Sequence, residues 1–266
     1  NSLSSSSLVP SGATKFKVFT RTEYNGLVCI SYANISTAVE YKEDYVFTGS
    51  FKDESIPITA LTNREILSKL YGKVIVNFGD SLFGNFRGDT SISSYISAIN
   101  NATVYNCGFG GCMMAAKRNS AAPTNLAWSA FSMYALADAI CSGDWTYQET
   151  NKSFGTVPAN TMPAYFAEEA LPLLKSIDFN NVNMITIAYG TNDYTGGNVI
   201  NDSAAGFDTT TFIGALKYTV KKFQETYPNI KILVITHVWR YFDDGTDSDT
   251  KNYAGTGTLK DYVNAL

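Results

Sequence analysis

The chain has 266 residues, a formal net charge of −4 and a pI of about 5.1, with 45% hydrophobic and 17% charged residues. That is enough apolar material for a large core, so disorder is not the default state. Lysines and arginines are scattered without a basic stripe, which leaves nucleic-acid binding without support, and no apolar run approaches the roughly 20 residues that span a bilayer.

Residues 1–12, "NSLSSSSLVPSG", form a polar lead without the basic n-region and apolar h-region of an intact signal peptide. The next stretch, 13–58, alternates apolar and polar residues in "TKFKVFTRT", "GLVCISYANI" and "DYVFTGSF". Period-two alternation with turn residues between the runs predicts strands. Residues 1–60 therefore read as an N-terminal β-rich segment, an accessory or part of a sandwich. "TALTNREILSKLYG" (59–72) reads as a linker with a short helix.

The pattern changes at Lys73, within a second domain spanning 61–266. "KVIVNF" (73–78) is a continuous apolar strand, and "SISSYISAIN" (91–100) places Ile92, Tyr95, Ile96 and Ile99 on one helical face. "ATVYN" (102–106) is a second strand. "NLAWSAFSMYALADAICSG" (125–143) reads as one helix closed by Gly143. "AYFAEEALPLLKSI" (164–177) reads as a helix limited or kinked by Pro172. "NVNMITIAYG" (181–190) is a third strand. "TFIGALKYTVKKFQETYP" (211–228) is an amphipathic helix, "IKILVIT" (230–236) a fourth strand, and "GTLKDYVNAL" (257–266) begins another helix. Doubly buried strands separated by helices imply right-handed βαβ crossovers and an α/β fold with a parallel sheet. Functional groups of such sheets collect at the carboxyl ends of the strands.

Three short motifs fall at those ends. Gly79-Asp80-Ser81-Leu82 follows the first strand; taken alone, Ser81 reads as a helix N-cap as readily as a nucleophile. Asn106-Cys107-Gly108-Phe109-Gly110-Gly111 follows the second, either a flexible turn or a backbone that aims N–H groups outward. It is not a dinucleotide fingerprint, because the last glycine position counted from Gly108 is Met113. Gly190-Thr191-Asn192-Asp193 follows the third, where Asn192 is an amide donor or part of an ordinary Asn-Asp turn. A serine and two amide donors at three successive strand ends make a nucleophile with an oxyanion hole.

With those blocks the chain resembles the SGNH, or GDSL, hydrolase family of esterases. "NFGDSL" is similar to the family's nucleophile block, "NCGFGG" to its second block and "GTND" to its third. The resemblance covers roughly residues 70–266 and implies a flavodoxin-like, three-layer sheet of order 2-1-3-4-5. It implies Ser81 as nucleophile, with the Gly111 N–H, the Asn192 side chain and the Ser81 N–H holding the oxyanion. The family's fourth block, Asp-x-x-His after the fifth strand, has no match here. The one histidine, His237, follows strand four. That is two strand spacings from Ser81, roughly 9–10 Å at ~4.8 Å each, beyond the roughly 3 Å that a hydrogen-bonded base needs. His237 therefore reads as a pocket-rim residue, together with Asp80, Gly110 and Asp193. The expectation is that this chain is the front part of a longer protein. The fifth strand and base would then lie on a C-terminal segment that is a separate fragment or omitted.

Cofactors and metals are not expected. The four cysteines, Cys29, Cys107, Cys112 and Cys141, contain no CxxC pair and read as free thiols. "FDDGTDSDT" (242–250) lacks the EF-hand order and reads as a solvated loop. The expected function is a serine ester hydrolase whose partner is a small-molecule or glycan ester, with deacetylation of a carbohydrate as the favoured chemistry. The alternatives are a carbohydrate-binding protein without catalysis and a surface or phage structural protein. Ser, Thr, Asn and Tyr richness suggests an extracellular or cell-surface location.

Overall fold

The computed structural model describes residues 15–20, 28–32, 54–57, 68–118, 122–155, 161–201 and 206–266. The chain divides into two compact units, Asn1–Tyr71 with Ile99–Asn101, and Gly72–Ala98 with Ala102–Leu266. In the first unit, β1 (Lys15–Thr20), β2 (Val28–Tyr32) and β3 (Glu54–Pro57) form an antiparallel sheet of order β2-β1-β3. In register, Val18 pairs with Ile30 and Phe16 with Ile56 along the backbone. The strand expected in "DYVFTGSF" and most of the linker at 59–72 lie outside the described residues.

The second unit is an α/β fold around four parallel strands, β4 (Val74–Gly79), β5 (Thr103–Asn106), β6 (Met184–Ala188) and β7 (Lys231–Val234), in the order β5-β4-β6-β7. This is the 2-1-3-4 part of the expected order, and β7 has one strand partner among the described residues. One face of the sheet carries the main core. Val76, Phe78, Ile185 and Ile187 meet Leu136 and Ala137 of α4 (Met133–Ser142), Leu171 and Leu174 of α6 (Leu171–Ser176), and Phe212, Ala215 and Phe223 of α8 (Phe212–Thr226). On the other face, α2 (Ile92–Asn100) approaches through Ser93, whose hydroxyl accepts from the buried Asn77 amide at 2.9 Å. Thr186 donates to the same Asn77 side chain at 2.8 Å. Helices on both faces are what a doubly buried parallel sheet requires.

Three expected elements differ in detail. The stretch read as one helix over 125–143 is two, α3 (Pro123–Ser129) and α4, separated at Ala130–Ser132. Long-range bonds compete with the helical ladder there. Met133 N–H goes to the Met113 carbonyl at 3.0 Å, and Tyr134 N–H to the Met114 carbonyl at 3.4 Å. Gly143 does close α4, in the left-handed conformation. Upstream of Pro172, residues Phe166–Ala170 form a π turn, and α6 follows with the proline in its first turn. The apolar stripe of α2 does not face the sheet. Ser93 turns inward to Asn77, so Ile92, Tyr95 and Ile99 stand about half exposed. A short helix, α5 (Thr146–Asn151), was not foreseen. Cys107, Cys112 and Cys141 carry free thiols, and burial pushes Cys107 up to about 12.

Candidate active site

The first block begins where β4 leaves the sheet. Gly79 pairs level with Ala188 of β6, and Phe109 N–H donates to the Gly79 carbonyl at 2.8 Å, which carries the β5 side past its last strand residue. Neighbouring parallel strands are about 4.8 Å apart, so all three blocks leave the same edge side by side. Gly84 and Gly108 touch backbone to backbone; a Cβ on either would lie 2.7 Å from an atom of the other. That contact brings the second block down onto α1 (Ser81–Gly84).

Asp80, and not Ser81, caps α1. Its carboxylate accepts from Leu82 N–H at 3.0 Å, and its carbonyl accepts from Phe83 and Gly84. Ser81 is thus freed from the capping role, and its hydroxyl and N–H have no partner among the described residues. Asp80 is buried. Burial pushes its carboxyl up, while the Leu82 N–H and the Arg240 guanidinium pull it down.

The second block is held from both sides. The Asn106 amide donates to the Phe83 carbonyl at 2.8 Å and the Phe86 carbonyl at 3.2 Å, and its oxygen accepts from Gly108 N–H. Arg87 donates to the carbonyls of Asn106 (2.8 Å) and Gly108 (3.3 Å) and pairs with Glu169 at 2.6 Å. Gly110 N–H donates to the Tyr165 hydroxyl at 2.7 Å, and Cys112 N–H to the Phe109 carbonyl. Among Cys107–Cys112, the N–H without a partner is that of Gly111.

The third block opens α7 (Thr191–Gly196). Asn192 donates one amide proton to the Cys112 carbonyl at 2.9 Å, which places it against the second block and leaves its other N–H free. Asp193 is fully buried and takes a structural role: its carboxylate accepts from Met114 N–H (2.9 Å), Ala115 N–H (3.1 Å) and Asn198 Nδ2 (3.0 Å). Burial outweighs those bonds and pushes its carboxyl up to about 6.

His237 makes no hydrogen bond to Ser81. Its ring presses on Gly190, whose φ is +136° and where a Cβ would sit 1.8 Å from Cε1. It packs edge-on against Phe212 at 5.7 Å. Burial lowers its pKa to about 4 against a hydrogen bond to the Tyr189 backbone, so the imidazole is neutral at pH 7. Its Nε2 is buried without a partner.

Sequence reasoning missed three residues of this edge. Arg240 donates to Thr191 Oγ1 at 2.9 Å and influences Asp80. Tyr165 occupies the Gly110 N–H, and the buried Tyr189 hydroxyl has no partner. Arg240 stands three residues after His237 on the same strand exit, a usable signal; Tyr165 arrives from a distant helix, with none. In the acidic loop, Asp244 accepts from Thr246 and pairs with Lys251, and Asp247 accepts from the N–H groups of Asp249 and Thr250. Among the described residues, no group of His, Cys, Asp and Glu could hold a metal ion.

No protein-family model matches this chain, and no curated protein matches it. Solved structures do. One has 20% identity, with 74% of this chain aligned to 73% of that one at a TM-score of 0.49. A protein from Lactobacillus plantarum has 16% identity, with 73% of this chain on 70% of that one and a TM-score of 0.43. A structure described as a possible lipase from Chitinophaga pinensis has 17% identity, with 72% of this chain on 61% of that one and a TM-score of 0.40.

Proposed function

We propose that this protein is a serine ester hydrolase of SGNH type that removes acyl groups, acetyl above all, from a carbohydrate outside the cell. The observation that supports it is the set of unused hydrogen-bonding groups at one sheet edge: the Ser81 hydroxyl and N–H, the Gly111 N–H and the second Asn192 N–H. Ser81 Oγ attacks the acyl carbon and gives its proton to a base. The carbonyl oxygen takes the negative charge and is held by the Gly111, Asn192 and Ser81 donors. The alcohol leaves with a proton, and water hydrolyses the acyl-enzyme. Turnover requires a base from beyond the described residues, because the Ser81 hydroxyl has no partner among them. In the family resembled, that base follows a fifth strand. The outer edge of β7, where Leu233 stands half exposed, is where such a strand would add.

A second reading, a glycan-binding protein without catalysis, is favoured by the neutral, half-buried His237 and the unpartnered Ser81. Hydrolysis of p-nitrophenyl acetate by the full-length protein, its base included, and by its Ser81→Ala variant separates the two. The esterase predicts loss of turnover in Ser81→Ala and a kcat about 10²–10³-fold lower in Asn192→Ala. Equal rates for the full-length protein and its Ser81→Ala variant end the esterase reading.

A further inference from the structure

Beyond β7 the chain runs through Val238-Trp239-Arg240-Tyr241, where Val238, Trp239 and Tyr241 are exposed and Arg240 is half-buried. Arg240 turns inward to Thr191 Oγ1 at 2.9 Å. Trp239 and Tyr241 turn outward and are 58% and 65% exposed, with ring centroids 5.9 Å apart and planes 35° apart. Two large aromatic rings side by side in water are an unfavourable use of apolar surface unless something covers them.

The backbone beneath the rings is fixed. Arg240 N–H donates to Ser248 Oγ at 3.0 Å, and the Arg240 carbonyl accepts from Ser248 N–H at 2.9 Å; Ser248 is fully buried. Tyr241 bridges to Asp247, and Phe242 N–H bonds to the Thr246 carbonyl at 2.8 Å. Behind this hairpin, Phe242 stacks on Tyr253 at 5.7 Å, and Tyr194 donates to the Lys251 carbonyl at 2.7 Å. Tyr194 belongs to α7, the helix that carries Asn192. The ring pair is therefore braced against the third block, one arginine side chain away from Thr191 and Asp80. A site whose backbone is already held loses less freedom on binding.

We infer that Trp239 and Tyr241 form a stacking platform for a saccharide ring beside the candidate active site. A pyranose offers an apolar C–H face to such rings and a rim of hydroxyls to the polar groups around them. The residues that follow, Asp243-Asp244-Gly245-Thr246-Asp247, are polar and acidic. A lipid or an apolar protein segment would call for contiguous aliphatic surface, and directly beside the rings Val238 is a single exposed aliphatic side chain. A nucleic acid, whose bases also stack, would bring phosphates up to those carboxylates. An uncharged polyhydroxylated ring suits both the rings and their surroundings. Assigning that saccharide as substrate rests on the esterase proposed above; the platform itself does not.

The test is calorimetric titration of acetylated xylo-oligosaccharides into the full chain carrying Ser81→Ala, so that the ester survives the measurement. Adding Trp239→Ala or Tyr241→Ala is expected to weaken Kd about tenfold, the size of an aromatic contact and its burial. Trp239→Phe keeps affinity within about threefold, and circular dichroism shows an unchanged fold. Tyr95→Ala, an exposed aromatic on α2, leaves Kd as it was. Unchanged affinity in Trp239→Ala, an equal loss in Tyr95→Ala, or no binding at millimolar ligand overturns the platform. Esterase turnover is measured separately on the full-length protein with Ser81 intact; an inactive full-length protein that binds through Trp239 removes the esterase and leaves the platform standing.

Discussion

Replacing Asp193 by alanine tests what holds the third block against the second. The carboxylate accepts three hydrogen bonds, from Met114 N–H, Ala115 N–H and the Asn198 amide, in a fully buried position. Asp193→Ala orphans all three donors, at about 1–3 kcal/mol each. Against that loss stands the relief of a poorly solvated charge. Burial raises the carboxyl from its ordinary 3.8 to about 6, equivalent to about 3 kcal/mol. Mid-range values leave a net loss of about 3 kcal/mol at pH 7. The sign of the pH dependence follows from the raised value. Between pH 7 and 5 the folded wild type takes up a proton that the unfolded chain does not yet bind, so folded wild type gains on the order of 1 kcal/mol over the variant. Urea denaturation of both proteins at the two pH values measures this. A loss under about 1 kcal/mol at pH 7, or a gap that narrows at pH 5, would refute the tether and its desolvated charge.

Gly190→Ala meets the His237 ring at 1.8 Å and a φ of +136°, so a loss of several kcal/mol is expected, on the order of 3 or more. Adding His237→Ala relieves the clash and leaves the backbone strain, so the double variant should be at least about 1 kcal/mol more stable than additivity gives; strict additivity in thermal melts counts against the ring contact. Tyr165→Phe leaves the buried Gly110 N–H without its acceptor, at about 1–3 kcal/mol. Hydrogen exchange at that amide should accelerate, and an unchanged rate would mean that the hydroxyl is not its partner.

The strand–helix alternation after Lys73 and the three glycine-bearing exits at Gly79, Gly108 and Gly190 were legible because they depend on neighbours a few residues away. Continuous apolar runs dictate doubly buried strands, and their crossovers align the exits at one edge. The identity of the α1 cap was local too, yet Asp80 and Ser81 are both good caps; only the bond from Leu82 N–H to Asp80 decides between them.

Other features have partners far away in the chain, and no window of sequence contains both members. The break at Ala130–Ser132 exists because the Met113 and Met114 carbonyls take the Met133 and Tyr134 N–H groups from the helix. The inward turn of Ser93 follows from an amide on β4. Gly110 and Gly111 are alike in sequence, but Tyr165, 55 residues downstream of Gly110, takes the N–H of one and leaves the other free. Local chemistry thus determined which residues reach the edge of the sheet. Tertiary contacts decided which of their hydrogen-bonding groups remain available there, because a buried polar group is satisfied by whichever partner the fold brings to it.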